Sequence, residues 1–131
     1  MFIDTSGFLC FLDDRDFRHE AASSYFQNAR SRLTHSYVLT ELVALAASRG
    51  FSRKITLGFL SEIFNDPRIE IVWADDYLTE IAVDFLTKRM DKSWSLCDAV
   101  SFLVMDDNAI TDALTTDHHF EQAGFVRLLE G

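Results

Sequence analysis

The sequence predicts an α/β protein, a three-layer α/β/α sandwich around a mainly parallel sheet of about five strands. Three observations predict it. Short apolar or β-branched runs recur along the chain: Phe2-Ile3, Leu33-Thr34-His35, Ile69 to Trp73, Ala113 to Thr116 and Phe125 to Leu129. Segments with helical apolar spacing separate each run from the next, which is the pattern of crossovers between parallel strands. The early crossovers hold two helical segments each, longer than a minimal crossover requires.

Each element has a local reason. After the strand Phe2-Ile3 and the carboxylate of Asp4, Ser6 is expected to cap a short helix carrying Phe8, Leu9, Phe11 and Leu12, ended by Asp13-Asp14-Arg15-Asp16. Asp16 is expected to cap a second helix with Ala21, Ala22, Tyr25, Phe26 and Ala29 at helical spacing. Ser36 opens a helix from Tyr37 to Arg49, with Val38, Leu42, Leu45 and Ala46 on one face and Gly50 as its stop. Ser52 caps the next, with Ile55, Phe59, Leu60, Ile63 and Phe64 inward, closed by Asn65-Asp66-Pro67. Asp75 or Asp76 starts a helix through about Arg89, and Ser95 caps another through about Met105. A short turn of helix, His118 to Ala123, precedes the last strand.

Composition bounds the class. The 131 residues predict one domain, residues 1–131, whose 48% hydrophobic content supplies a core without disulfides or a structural metal. Cys10 and Cys97 sit in apolar, helix-like surroundings, the setting of buried thiols in a reducing compartment. With no basic leader and no apolar run approaching the ~20 residues of a membrane span, the expectation is a soluble, cytoplasmic protein without a membrane partner. The net charge of −9 argues against broad, non-specific nucleic-acid binding, which depends on neutralising phosphates. It suits a partner with basic arms, or acids arranged to hold cations.

The placement of four acids is more informative. Asp4 ends the first strand and Asp117 the fourth, so on a parallel sheet both face the same edge. Glu41 and Asp98 lie early in helices that start at that edge, within roughly 8 Å of the helix starts at about 1.5 Å rise per residue. Each interrupts an apolar stripe: Leu39, Leu42, Val43 and Leu45 around Glu41, and Leu96, Cys97, Ala99 and Val100 around Asp98. Two carboxylates at about 4 Å repel by about 4 kcal/mol at an effective dielectric near 20. Four acids on one edge therefore need protons or a cation, and oxygen donors favour Mg²⁺ or Mn²⁺ over Zn²⁺.

Four segments carry a resemblance. Asp4-Thr5-Ser6, Leu39-Thr40-Glu41-Leu42, Cys97-Asp98-Ala99-Val100-Ser101-Phe102 and Thr115-Thr116-Asp117-His118-His119-Phe120 resemble, in order and spacing, the four motifs of PIN-domain ribonucleases. More narrowly they resemble the VapC-type toxins of toxin–antitoxin pairs, over Phe2 to Leu129.

The resemblance implies a metal-dependent endoribonuclease that hydrolyses phosphodiesters to a 5′-phosphate and a 3′-hydroxyl. Asp4, Asp98 and Asp117 would hold Mg²⁺ or Mn²⁺, and Glu41 would complete the catalytic set. Ser6 and Thr115 or Thr116 would orient the carboxylates as hydroxyl donors, against capping or strand packing as their plain roles. His118 and His119 are read as loop residues, Phe120 and Phe125 as core, and Trp94 as a packing residue. Lys88, Arg89 and Lys92, leading into the Asp98 helix, are the candidate RNA-binding cluster. A cognate antitoxin whose tail covers the acids is implied, as is a homodimer through the helices between Ser36 and Asn65. Alternatives are an RNA-processing PIN nuclease without an antitoxin, or a catalytically silent PIN-like interaction module.

Overall fold

A computed structural model describes residues 1–131. Its elements, in chain order, are β1 (Phe2–Ile3), α1 (Thr5–Leu12), α2 (His19–Asn28), β2 (Arg32–His35), α3 (Ser36–Ser48), α4 (Arg53–Asn65), β3 (Ile69–Val72), α5 (Asp76–Thr87), α6 (Leu96–Asp107), β4 (Asp112–Leu114), α7 (His119–Gln122) and β5 (Val126–Arg127). The five strands form one sheet in the order β3-β2-β1-β4-β5, and every pairing is parallel. Phe2 pairs with Leu33 on one side and Ala113 on the other, so β1 is the central strand and is buried on both faces.

From β1 the chain steps outward through β2 to β3, then returns past β1 to β4 and β5. Right-handed crossovers place α1 to α4 on one face and α5 to α7 on the other. The reversal leaves a crevice at the carboxyl ends of β1 and β4, where open α/β sheets bind their ligands.

Two apolar clusters fill the layers. The larger includes Phe2, Ile3, Phe8, Leu9, Phe26, Leu42, Phe102, Met105 and Phe120; the smaller joins Leu33, Ala82, Ala99, Val100 and Val104. Trp94 packs as expected, stacked on Phe85 with its Nε1 donating to Gln122. Gly7 permits a close approach of helix to strand, because a Cβ there would stand 2.1 Å from the Leu114 carbonyl oxygen. Helix α1 is thereby seated directly on the end of β4.

Several local expectations fail. Ser6 does not cap α1, which starts at Thr5 with Asp4 as its N-cap residue. Asp16 is not the cap of α2 either; Arg18 holds that position, and Asp16 takes the Arg18 backbone N–H and guanidinium instead. Helix α3 begins one residue early, capped by the ring of His35, while the Ser36 hydroxyl accepts the N–H of Ala74. Ile55 and Phe64, expected inward on α4, are 55% and 51% exposed. The caps at Ser52, Asp75 and Ser95 stand where expected.

Candidate metal centre at the sheet switch

The crevice between β1 and β4 gathers the acids. Asp4 leaves β1 buried, and its Oδ2 accepts the Thr115 hydroxyl at 2.8 Å, with the Ser6 hydroxyl at 3.4 Å. Thr115 has one hydrogen and Asp4 takes it, so the single Ser6 hydrogen is shared between Thr115 Oγ1 at 3.1 Å and Asp4 Oδ2 at 3.4 Å. Thr115 Oγ1 also accepts the backbone N–H of Asp117 at 3.0 Å, and Ser6 Oγ accepts that of Thr116 at 2.9 Å. Two hydroxyls thus tie the end of β1 to the turn after β4. Thr116 contributes its backbone, not its side chain.

Asp98 occupies the third position of α6 and forms a capping box with Ser95. Its N–H donates to Ser95 Oγ and its Oδ2 accepts the Ser95 N–H, each at 3.0 Å. The same Oδ2 accepts from His119 Nδ1 at 3.2 Å. Asp98 is buried, so the capping role and the site role belong to one side chain.

Glu41 projects from the second turn of α3, half-buried, without a hydrogen bond or ion pair. Its charge, with that of Asp98, raises the Asp4 pKa further after burial has raised it most; the Thr115 hydrogen bond opposes both. The outcome is an Asp4 carboxyl pushed up to about 7. Burial, then the charges of Glu41, Asp4 and Asp98, push the Cys97 thiol above its usual range.

No Lys or Arg pairs with Asp4, Glu41, Asp98 or Asp117. Uncompensated carboxylates around one crevice fit a hard divalent cation, which prefers oxygen donors. The residues whose donor atoms all lie within 4.8 Å of one another are Asp117, His118 and His119.

Comparison with known proteins shows the family. The PIN domain family model matches residues 1–126. The chain belongs to the PIN-domain family. Relatives of this PIN domain include the 23S rRNA-specific endonuclease VapC20 of two Mycobacterium tuberculosis strains, 30% identical over 129 residues, 98% of this chain and 97% of the relative. The crystal structure of M. tuberculosis VapC20, described as a sarcin-ricin loop cleaving toxin, superposes with a TM-score of 0.87 at 26% identity, covering 99% of this chain and 98% of the other.

Two histidines near these acids were not placed there by sequence reasoning. His119, read as a loop residue, opens α7 and reaches Asp117 Oδ2 at 3.4 Å as well as Asp98. A local signal existed: Asp117 Oδ1 accepts the His119 N–H at 2.9 Å, the two-residue turn that an Asp before such a pair makes. His118 is exposed and stands 3.6 Å from Asp117 Oδ1. The second missed residue is His35, buried beneath the crevice on β2.

The basic cluster is placed differently from the acids. Lys88 pairs with Asp84 at 2.9 Å, and Arg89 pairs with Asp91 at 3.1 Å while lying over the Trp94 ring. Lys92 makes no ion pair and is half-buried. No helix is long and apolar enough to cross a membrane.

Proposed function

We propose that this PIN domain is a metal-dependent endoribonuclease, the toxin of a VapBC-type pair. The observation that carries the reading is the convergence of Asp4, Asp98 and Asp117 at the switch crevice, tied together by Thr115, Ser6 and His119 and unopposed by any Lys or Arg. Glu41 lies close enough for its charge to act on Asp4.

Asp4, Asp98 and Asp117 would hold Mg²⁺ or Mn²⁺, with Glu41 as the fourth acid. When bound, the ion supplies a water of lowered pKa and charge neutralisation at the phosphate. The chain's own work is to hold the acids in register. Thr115 and Ser6 lock the Asp4 carboxylate, the Ser95 cap orients Asp98, and His119 spans Asp98 and Asp117. Of the basic cluster, Lys92 is the member without an acidic partner and the one we assign to the RNA backbone, ahead of Lys88 and Arg89.

The names of the relatives favour ribosomal RNA as the substrate class. We assign the chain to the cytoplasm, as a homodimer held by a cognate antitoxin. The acidic surface would draw in a basic antitoxin tail at rates that salt reduces.

The test is cleavage of end-labelled RNA, including a sarcin–ricin stem-loop, with Mg²⁺, Mn²⁺ or EDTA beside the Asp98→Asn variant. Cutting that needs metal and is lost in the variant is the expected result. A folded protein that cuts none of these RNAs and binds no Mn²⁺ by calorimetry overturns the reading in favour of a silent interaction module.

A further inference from the structure

Beneath the crevice lies a side-chain chain that none of the site's roles uses. His35 is the last residue of β2, fully buried, with its ring 5.7 Å from that of Phe2. Its Nδ1 accepts the backbone N–H of Val38 at 3.3 Å and so caps α3. A nitrogen that accepts carries no hydrogen, so Nε2 is the protonated atom of the ring. Nε2 donates to Ser101 Oγ at 2.8 Å, and Ser101 in turn donates to the Cys97 carbonyl oxygen at 2.9 Å.

One neutral imidazole therefore connects the first turn of α3 to the first turn of α6. Glu41 lies three residues beyond Val38, and Asp98 follows Cys97 directly. The strand before His35 is tied in as well, because the Thr34 hydroxyl donates to the Ile3 carbonyl, one residue before Asp4. A cap alone needs only an acceptor, and Ser, Asp or Asn supplies that at less cost of burial. What those shorter side chains lack is the reach from the end of β2 to α6.

We propose that His35 is a positioning residue of the metal centre, setting the spacing of Glu41 and Asp98 through Ser101. The proposal rests on the nuclease reading for its consequence but not for its geometry. Removing either end of the link frees α6 to shift against α3. The acids then meet the ion less well, as with other partners held one shell behind metal ligands.

The test uses the full chain with two variants. His35→Asn keeps an acceptor for Val38 but is too short for Ser101; Ser101→Ala breaks the link from the other end and leaves the ring in place. Each is expected to weaken Mn²⁺ binding by calorimetry about 10-fold and to lower kcat on a sarcin–ricin RNA by a similar factor, with KM changed by less than about 3-fold. The double variant should be no worse than the more damaged single, because both remove one link. In metal-free protein, amide hydrogen exchange at Glu41 and Asp98 should quicken together in Ser101→Ala.

A loss of thermal stability with Mn²⁺ affinity, kcat and exchange at both acids unchanged overturns the proposal and leaves His35 a packing residue. Should the parent protein cut none of these RNAs and bind no Mn²⁺, the nuclease reading fails alone; amide exchange at Glu41 and Asp98 still decides for or against His35.

Discussion

His119 Nδ1 stands 3.2 Å from Asp98 Oδ2, which accepts its hydrogen, and 3.4 Å from Asp117 Oδ2. Without it Asp98 loses its side-chain donor, and Asp117 the imidazole beside it. His119→Ala should cost the metal-free protein about 1–3 kcal/mol, the range for a hydrogen bond to a charged partner that is left unpaired. A bound cation relieves the same loss, so the deficit should shrink in saturating Mn²⁺. Thermal unfolding in EDTA and in Mn²⁺ checks this; an equal loss in both would show that the ring only packs.

Thr115 is the hinge of the other half of the site. Thr115→Val keeps the shape and removes the hydroxyl that donates to Asp4 and accepts from Asp117. We expect about 1–2 kcal/mol lower stability and at least about 10-fold lower kcat, whereas Thr115→Ser restores both. Denaturant unfolding and single-turnover RNA cleavage read the two effects separately. A fully active valine variant would remove Thr115 from the site.

The strands, the helices and three of the caps were legible because each depends on residues within a few positions of one another. That Asp4 and Asp117 share an edge was legible too, since parallel strands all point one way. The cap expected of Ser6 failed because its partners, Thr115 and Thr116, lie 109 and 110 residues away, a pairing no local spacing records; its other reading, a hydroxyl beside the acids, came from the resemblance. His35 was hidden for the same reason: its donor target is Ser101, 66 residues on. On α4 the apolar pattern runs wider than the buried face, leaving Ile55 and Phe64 in solvent.

Glycine substitutions separate two backbone settings. Gly7→Ala drives a methyl group to 2.1 Å from the Leu114 carbonyl oxygen, so α1 must lift from β4. The cost should be about 3 kcal/mol or more, at the upper end for overpacking a core. Gly58→Ala on α4 meets nothing within 4 Å and should stabilise by about 0.5–1 kcal/mol through helix propensity. Denaturant unfolding that gives the two variants the same sign would refute the account.

Acid should weaken the fold through His35. Burial lowers its pKa from 6.5 to about 4, so the unfolded chain binds a proton in this window that the folded chain does not. Stability from this group is then complete above pH 6.5 and falls as pH drops toward 4, by about 3 kcal/mol in full and about 2 kcal/mol by pH 5. Asp4, raised to about 7, acts with the opposite sign over much of the same range. The comparison is therefore between the parent and His35→Asn, in urea at pH 7 and pH 5 without metal. The parent's advantage over the variant should shrink by about 2 kcal/mol; a constant advantage would show that the ring does not titrate on unfolding.

The separation of 111 positions between Asp4 and Thr115 has a consequence for synthesis. A ribosome making this chain exposes Asp4 first, then Glu41, then Asp98, each on a segment still without its neighbours. The central strand keeps one open side until β4 arrives. Only then does Thr115 reach back to Asp4 and Asp117 come to lie beside Asp98. By this order a chain cut short before β4 carries no assembled cutting centre, so the cell meets the finished centre only after β4 and the turn behind it have emerged.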